Sequence, residues 1–277
     1  MANALTRLAQ RMFGRAATRD HHRLASTFYP EAADLTGARP GRGTVAPGTT
    51  RNLGPIAGTG ARMGIPGIGA ADLGEIIALP NGRLVSVFGD SFKGNRVGGP
   101  DSDHFRSVAV PIAGWDKDGR AIYGTPFNRT GGPGSSCILF PPPAEALAID
   151  NNTNTLPGGA IVVGGTAYMM VAGTSSLIPT AGSWLVEVDD DPASGWPAIP
   201  GSWRSGTDAP SQISGYLAAD GMVYVAGNCF DRSQGVTLYR VTPSKVTDRD
   251  AWQPWTGTSW GTTTDEPHVL SGPQHFG

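Results

Sequence analysis

From residue 72 onward the chain alternates short apolar runs with glycine-containing turns. Ile76 to Leu79 leads into Pro80-Asn81-Gly82, and Leu84-Val85-Ser86-Val87-Phe88 follows before Gly89-Asp90-Ser91-Phe92. Asn-Gly between two apolar runs predicts a tight β-hairpin, with residues 76–80 paired to 83–89. The phrase returns as Tyr216 to Ala219, Asp220-Gly221, Met222 to Ala226 and Gly227-Asn228, and more loosely as Ala160 to Val163, Gly164-Gly165, Tyr168 to Ala172 and Gly173-Thr174. Each copy reads strand, turn, strand, glycine, small polar residue. Further strands are expected at 107–112, 121–123, 136–140, 184–188 and 237–241.

Repetition of short antiparallel strands predicts an all-β fold. A β-sandwich would also supply many short strands, but the recurring strand–turn–strand–glycine phrase favours a β-propeller built of sequential blades over residues 69–277. Ahead of it, residues 1–24 carry a helical stripe of Leu5, Leu8, Ala9, Met12 and Phe13, with Arg7, Arg11 and Arg15 largely off that face. Residues 35–68 are rich in Gly, Pro, Thr and Arg and show no strand period. Residues 1–68 are therefore expected to be an N-terminal helix and extended arm outside the propeller core. The helix needs a partner for its apolar face, so the arm is expected to attach the protein to other subunits or to copies of itself, as a homo-oligomer or part of a larger assembly.

Composition narrows the function. The 40 glycines and 23 prolines are spread along all 277 residues, which means many turns rather than a disordered tract. A net charge of −2 offers no broad basic field, so nucleic acid is not an expected partner. The N-terminus lacks the continuous apolar stretch of a secretory signal. Cys137 and Cys229 have no metal-ligand spacing and are expected to be buried free thiols rather than a disulfide. Asp189-Asp190-Asp191 precedes Pro192 and reads as a polar turn rather than a calcium loop. Trp196, Trp203, Trp252, Trp255 and Trp260 are expected to pack in the core, and neither a metal nor a cofactor is implied.

The repeat supplies an internal control for chemistry. After the strand-ending glycine the copies carry Asp90, Thr174 and Asn228, so a neutral residue satisfies the fold and Asp90 is the charged exception. Asp72 precedes the first strand of the same hairpin, and a hairpin brings its start and finish to one end. Two carboxylates at one channel mouth are what glycoside hydrolysis uses, one protonating the leaving oxygen and one attacking or activating water. A turn aspartate capping a backbone N–H is the structural alternative for Asp90. Nearby, Asp103, His104 and Arg106 are candidate substrate-binding groups. Arg106 is expected to pair with Asp90 or Asp72, and His104 is either a proton shuttle or a sugar hydrogen-bond partner.

The run Asp72-Leu73-Gly74, Pro80-Asn81-Gly82-Arg83, Val87-Phe88-Gly89-Asp90-Ser91-Phe92 and Arg106-Ser107 resembles a propeller family of actinobacteria and their phages that includes endo-D-arabinanases. The resemblance covers about residues 68–277 and is most specific in the first hairpin. It implies a five-bladed type of propeller acting on the arabinan of the mycobacterial cell wall, with Asp72 and Asp90 as the catalytic pair. The family pattern continues beyond the segment like Gln274-His275-Phe276-Gly277, so the last blade is expected to be incomplete in this chain. The absent secretion signal fits the phage branch, which implies a minor tail protein released with the virion and acting at the host envelope, its arm held by other tail subunits. A non-catalytic glycan-binding or structural tail protein is the alternative.

Overall fold

A computed structural model describes residues 53–57, 64–95 and 103–272, apart from 133, 176–177 and 207–209. The expected N-terminal helix and the segment Gln274 to Gly277 lie outside these residues. Eleven strands dominate: β1 (Ala70–Ala78), β2 (Leu84–Phe92), β3 (His104–Trp115), β4 (Ala121–Tyr123), β5 (Asn154–Val163), β6 (Thr166–Thr174), β7 (Ser183–Glu187), β8 (Gln212–Leu217), β9 (Val223–Asn228), β10 (Thr237–Val241) and β11 (Gln253–Pro254). One short α-helix, α1 (Ala144–Ile149), follows the Pro141-Pro142-Pro143 run.

The predicted hairpin forms with Ile76 opposite Ser86, Ile77 opposite Val85 and Ala78 opposite Leu84. Its turn explains its letters. Gly82 takes φ 82°, a left-handed conformation that glycine adopts without a Cβ clash, and Asn81 caps the Arg83 N–H with its side-chain oxygen. The third copy repeats the device, with Gly221 at φ 81° and Asp220 capping Met222.

Strands β1 to β4 form one antiparallel meander. In the other sheet, β5-β6-β7 and β8-β9-β10-β11 are two further meanders, joined where β5 and β8 pair in parallel at Ile161–Gly215 and Val162–Tyr216. First strands of successive meanders lying side by side and parallel is the arrangement of propeller blades around their axis. The fold is thus an all-β propeller, with three blades among the described residues.

Apolar side chains fill the seams between blades. Ile77, Leu79, Val85 and Val87 of the first blade pack with Met169, Val171 and Trp184 of the second. Ile161, Met170 and Leu185 of the second pack with Ile213, Val225 and Tyr239 of the third. Trp196, Trp252 and Trp255 are buried, as expected of core tryptophans.

Three expectations need correction. Ile65 and Ile68, assigned to the arm, are each 4% exposed and pack on Phe88, Val108 and Val110, so the end of the arm covers the outer face of the first blade. Residues 136–140 are a turn rather than a strand, exposed at Ser136 and Cys137 and buried from Ile138 to Phe140. Leu139 lends its N–H to Ser107 and its carbonyl to Trp196, and the prolines that follow have no N–H to extend a ladder. Both cysteines are free, but Cys137 is exposed and only Cys229 is buried.

The glycine that closes each copy has a packing cause. A Cβ on Gly89 would lie 2.6 Å from Leu156 Cδ2 and 2.9 Å from Pro157 Cδ, both on β5 of the next blade. Leu156 is fully buried and the proline ring is stiff, so neither yields cheaply. Gly89→Ala is expected to cost about 1–3 kcal/mol. Urea denaturation of the variant checks this, and an unchanged midpoint would mean that the seam is looser than the structure indicates.

Candidate active site

The first hairpin is regular in its middle and irregular at the end that carries the candidate carboxylates. Between Ala70–Phe92 and Asp72–Gly89, β2 places Asp90 and Ser91 against the single residue Ala71. Between Asp72–Gly89 and Glu75–Val87, β1 places Leu73 and Gly74 against the single residue Phe88. Two bulges back to back re-aim the side chains beside them. They also strain the chain: Leu73 at φ 56° and Asp90 at φ 31° are two of the three non-glycine residues with left-handed backbone among those described.

Asp90 is well partnered. In the β2–β3 register Phe92 lies opposite His104, and His104 Nε2 is 2.7 Å from Asp90 Oδ1. The imidazole stacks on Phe92, with ring centres 4.7 Å apart and an 11° tilt, which fixes its plane. Asn154, the first residue of β5, donates from Nδ2 to the same Oδ1 at 3.1 Å. The hydrogen bond from His104 holds the Asp90 carboxyl below its ordinary range; partial burial opposes this, while the charge of His104 and the Asn154 bond assist. Asp90 is therefore ionised at neutral pH, and the proton in its contact with His104 belongs to Nε2.

Asp72 lies across the strand pair from Gly89, next to Asp90 in the ladder. It is exposed, and its Oδ1 accepts the N–H of Leu73 at 2.8 Å, which steadies the bulge. The hairpin thus brings the backbones of the two predicted carboxylates to one end, as their positions in the sequence imply.

The other predicted groups divide. His104 joins the site directly. Arg106 does not pair with either aspartate: its guanidinium donates to the carbonyls of Gly131, Asn152 and Thr153 and to the side-chain oxygen of Asn152. Planar donors on several carbonyls make a clamp between blades rather than a counter-ion. Asp103 lies on the surface 3.5 Å from Lys93, with the two side chains 60% and 63% exposed. In the Asp189 to Asp191 turn the carboxylates serve Asp191 N–H, Trp196 Nε1, Asn81 N–H and Ser194 Oγ.

Two site residues escaped the sequence reading. Asn154 is one; its signal is positional, because it begins the first strand of the second copy opposite Thr174, the counterpart of the Asp90 region. Glu75 is the other. Asp72 opposes Gly89 and Glu75 opposes Val87; Gly89 and Val87 are two apart on β2 and share a face, so Asp72 and Glu75 share it too. Without the bulge, residues three apart on a strand would face opposite ways. Burial, with no cation to offset it, pushes the Glu75 carboxyl from its ordinary 4.5 to about 7.

Comparison with known proteins places these residues in a wider context. The family model described as a domain of unknown function, DUF4185, matches residues 59–276. An uncharacterized 35.9 kDa protein of Mycolicibacterium smegmatis is 37% identical over 221 residues, which is 76% of this chain and 62% of that protein. The chain thus spans about three-fifths of that relative's length. Among solved structures, a Bacteroides ovatus "putative hydrolase" matches at a TM-score of 0.45 and 16% identity, over 75% of this chain and 57% of that one. A thermostable family-43 glycoside hydrolase matches at 0.37 and 15%, over 73% and 60%.

The raised carboxyl of Glu75 makes stability depend on pH. The unfolded chain ionises Glu75 near 4.5 and the folded chain near 7, so the folded state is favoured below 4.5 and loses that advantage as pH rises to 7. The loss is at most about 3 kcal/mol. Relative to wild type, Glu75→Gln is expected to gain stability progressively between pH 5 and pH 8. Urea midpoints at four pH values check this, and parallel curves for the two proteins would refute it.

Proposed function

The chain belongs to the DUF4185 family, and from that membership and the geometry of its first hairpin we propose that it is a glycoside hydrolase of the endo-D-arabinanase kind. Its substrate is the arabinan of the mycobacterial cell wall, and Asp72 and Asp90 carry the reaction. The observation that carries this reading is the state of Asp90. It is a carboxylate held ionised by two side-chain donors, on left-handed backbone at a strand end, one ladder position from a second aspartate. An ionised carboxylate serves as the base or nucleophile, and Asp72 supplies the acid. Support for the substrate comes from the resemblance of the first hairpin to arabinanases. The 37% identical relative in Mycolicibacterium smegmatis is consistent with a mycobacterial setting.

The setting we propose is a phage tail, with the residues ahead of Ile65 attaching the propeller to other tail subunits and the hydrolase opening the envelope. A propeller that binds envelope glycan without cleaving it is the competing reading.

Incubation with purified mycobacterial arabinogalactan, followed by chromatography of the soluble products, tests the proposal. Wild type is expected to release arabino-oligosaccharides. Asp90→Asn keeps the shape of the side chain and resembles Asn228 of the third copy, so it folds. It is expected to lose at least about a thousandfold in rate, because an amide neither accepts the proton nor attacks the anomeric carbon. Glycan retained on immobilised wild type with no product released would establish the binding-only reading. Full activity in Asp90→Asn would show that the chemistry lies elsewhere.

A further inference from the structure

Asp90 is held from two blades at once. Oδ1 receives both hydrogen bonds, from His104 Nε2 of its own blade and from Asn154 Nδ2 of the next, whereas Oδ2 has no hydrogen bond among the described residues. The Asn154 amide cannot be turned over without loss. Its Oδ1 accepts the N–H of Thr155 at 3.1 Å, which leaves the NH2 group to face Asp90.

The start of β5 is itself fixed from the first blade. Arg106 lies opposite Asp90 in the β2–β3 register, between the pairs Gly89–Ser107 and Ser91–Phe105. From there it grips the carbonyls of Asn152 and Thr153 and the Asn152 side chain, with the two carbonyl contacts at 2.7 and 2.5 Å. Asn154 is the next residue. The first blade therefore reaches out through Arg106 to seat the strand whose first side chain returns to Asp90.

We propose that Asn154 is a positioning residue for Asp90. Together with His104 it occupies Oδ1, keeps the carboxylate ionised and leaves Oδ2 as the reacting oxygen. The role of Oδ2 rests on the hydrolase reading; the control of charge by Asn154 does not. Arg106 acts one step further back, as the clamp that sets Asn154, rather than as a ligand for substrate.

The test uses full-length protein carrying carboxyl-13C aspartate, with the Asp90 resonance identified by its disappearance in Asp90→Asn. In wild type the resonance is expected to titrate below the ordinary aspartate range. In Asn154→Ala the midpoint rises, because a donor to the ionised form is lost. In Asn154→Asp it rises further, because a like charge replaces that donor. Asn154→Asp retains an oxygen for the Thr155 N–H, so it separates charge from folding even if the alanine variant unfolds. An Asp90 midpoint unmoved in folded Asn154→Asp overturns the proposal. On arabinan, kcat/KM of Asn154→Asp is expected to fall about tenfold more at pH 4 than at pH 7. An equal loss at both pH values would mark a merely structural role and also overturn it. If wild type cleaves no glycan, the hydrolase reading falls, and the titration still decides whether Asn154 controls Asp90.

Discussion

The constraint on which the site depends is the close approach of the first two blades at Gly89. With no side chain there, β5 comes within van der Waals reach of the end of β2, and Leu156 and Pro157 fill the space a Cβ would take. That approach brings the start of β5 within hydrogen-bonding distance of Asp90. Had the seam been wider by one methyl group, Asn154 would lie beyond reach of the carboxylate, since a hydrogen bond weakens steeply past about 3.2 Å. The packing of an apolar seam and the polar chemistry at its mouth are thus one geometric fact. The Arg106 clamp on Asn152 and Thr153 holds the same seam from the other side.

Within one hairpin, two carboxyls are driven in opposite directions. Asp90 is partly buried near the end of β2 and accepts from two side-chain donors, so its charged form is favoured. Glu75 lies further along β1, where burial favours its neutral form. A bulge in β1 moves Glu75 onto the face that Asp72 occupies. Its cost appears as the pH dependence of folding, because a carboxyl desolvated without a partner destabilises the protein wherever it must ionise.

Much of the fold was legible because its signals are local. Asn-Gly and Asp-Gly turns force their hairpins, and alternation within each apolar run fixes which face is buried. The closeness of Asp72 and Asp90 along the ladder was legible for a related reason, since a hairpin brings its start and finish to one end. What could not be read were the consequences of register and contact between blades. Glu75 looks like a solvated residue beside Gly74 until the bulge at Leu73 and Gly74 shifts it by one position. Arg106 looks like a counter-ion for Asp90, its neighbour in the ladder, until the start of β5 presents three better acceptors. Ile65 and Ile68 stand among glycines and a proline with no strand period, so their burial depends on the sheet they cover, not on their own segment. Asn154 belongs to the loosest copy of the repeat, and its partner on the neighbouring blade is set only by the seam.

The copies also bear on whether Asp90 is an ordinary turn residue. Thr174 and Asn228 stand at the ends of β6 and β9, as Asp90 does after its own glycine in β2, and neither has left-handed backbone. The blade ending therefore forms with neutral residues and relaxed φ angles. A capping aspartate would share that relaxed geometry, since capping demands only an acceptor. Asp90 instead occupies a conformation that costs on the order of 1–3 kcal/mol, and its side chain accepts from two other side chains rather than from a local N–H. Strain of that size persists only where surrounding contacts over-determine it, and here those contacts are the stacked imidazole and the amide of the neighbouring blade. An alternative available twice in the same molecule without strain was not used at this position. The difference supports the role proposed for the carboxylate.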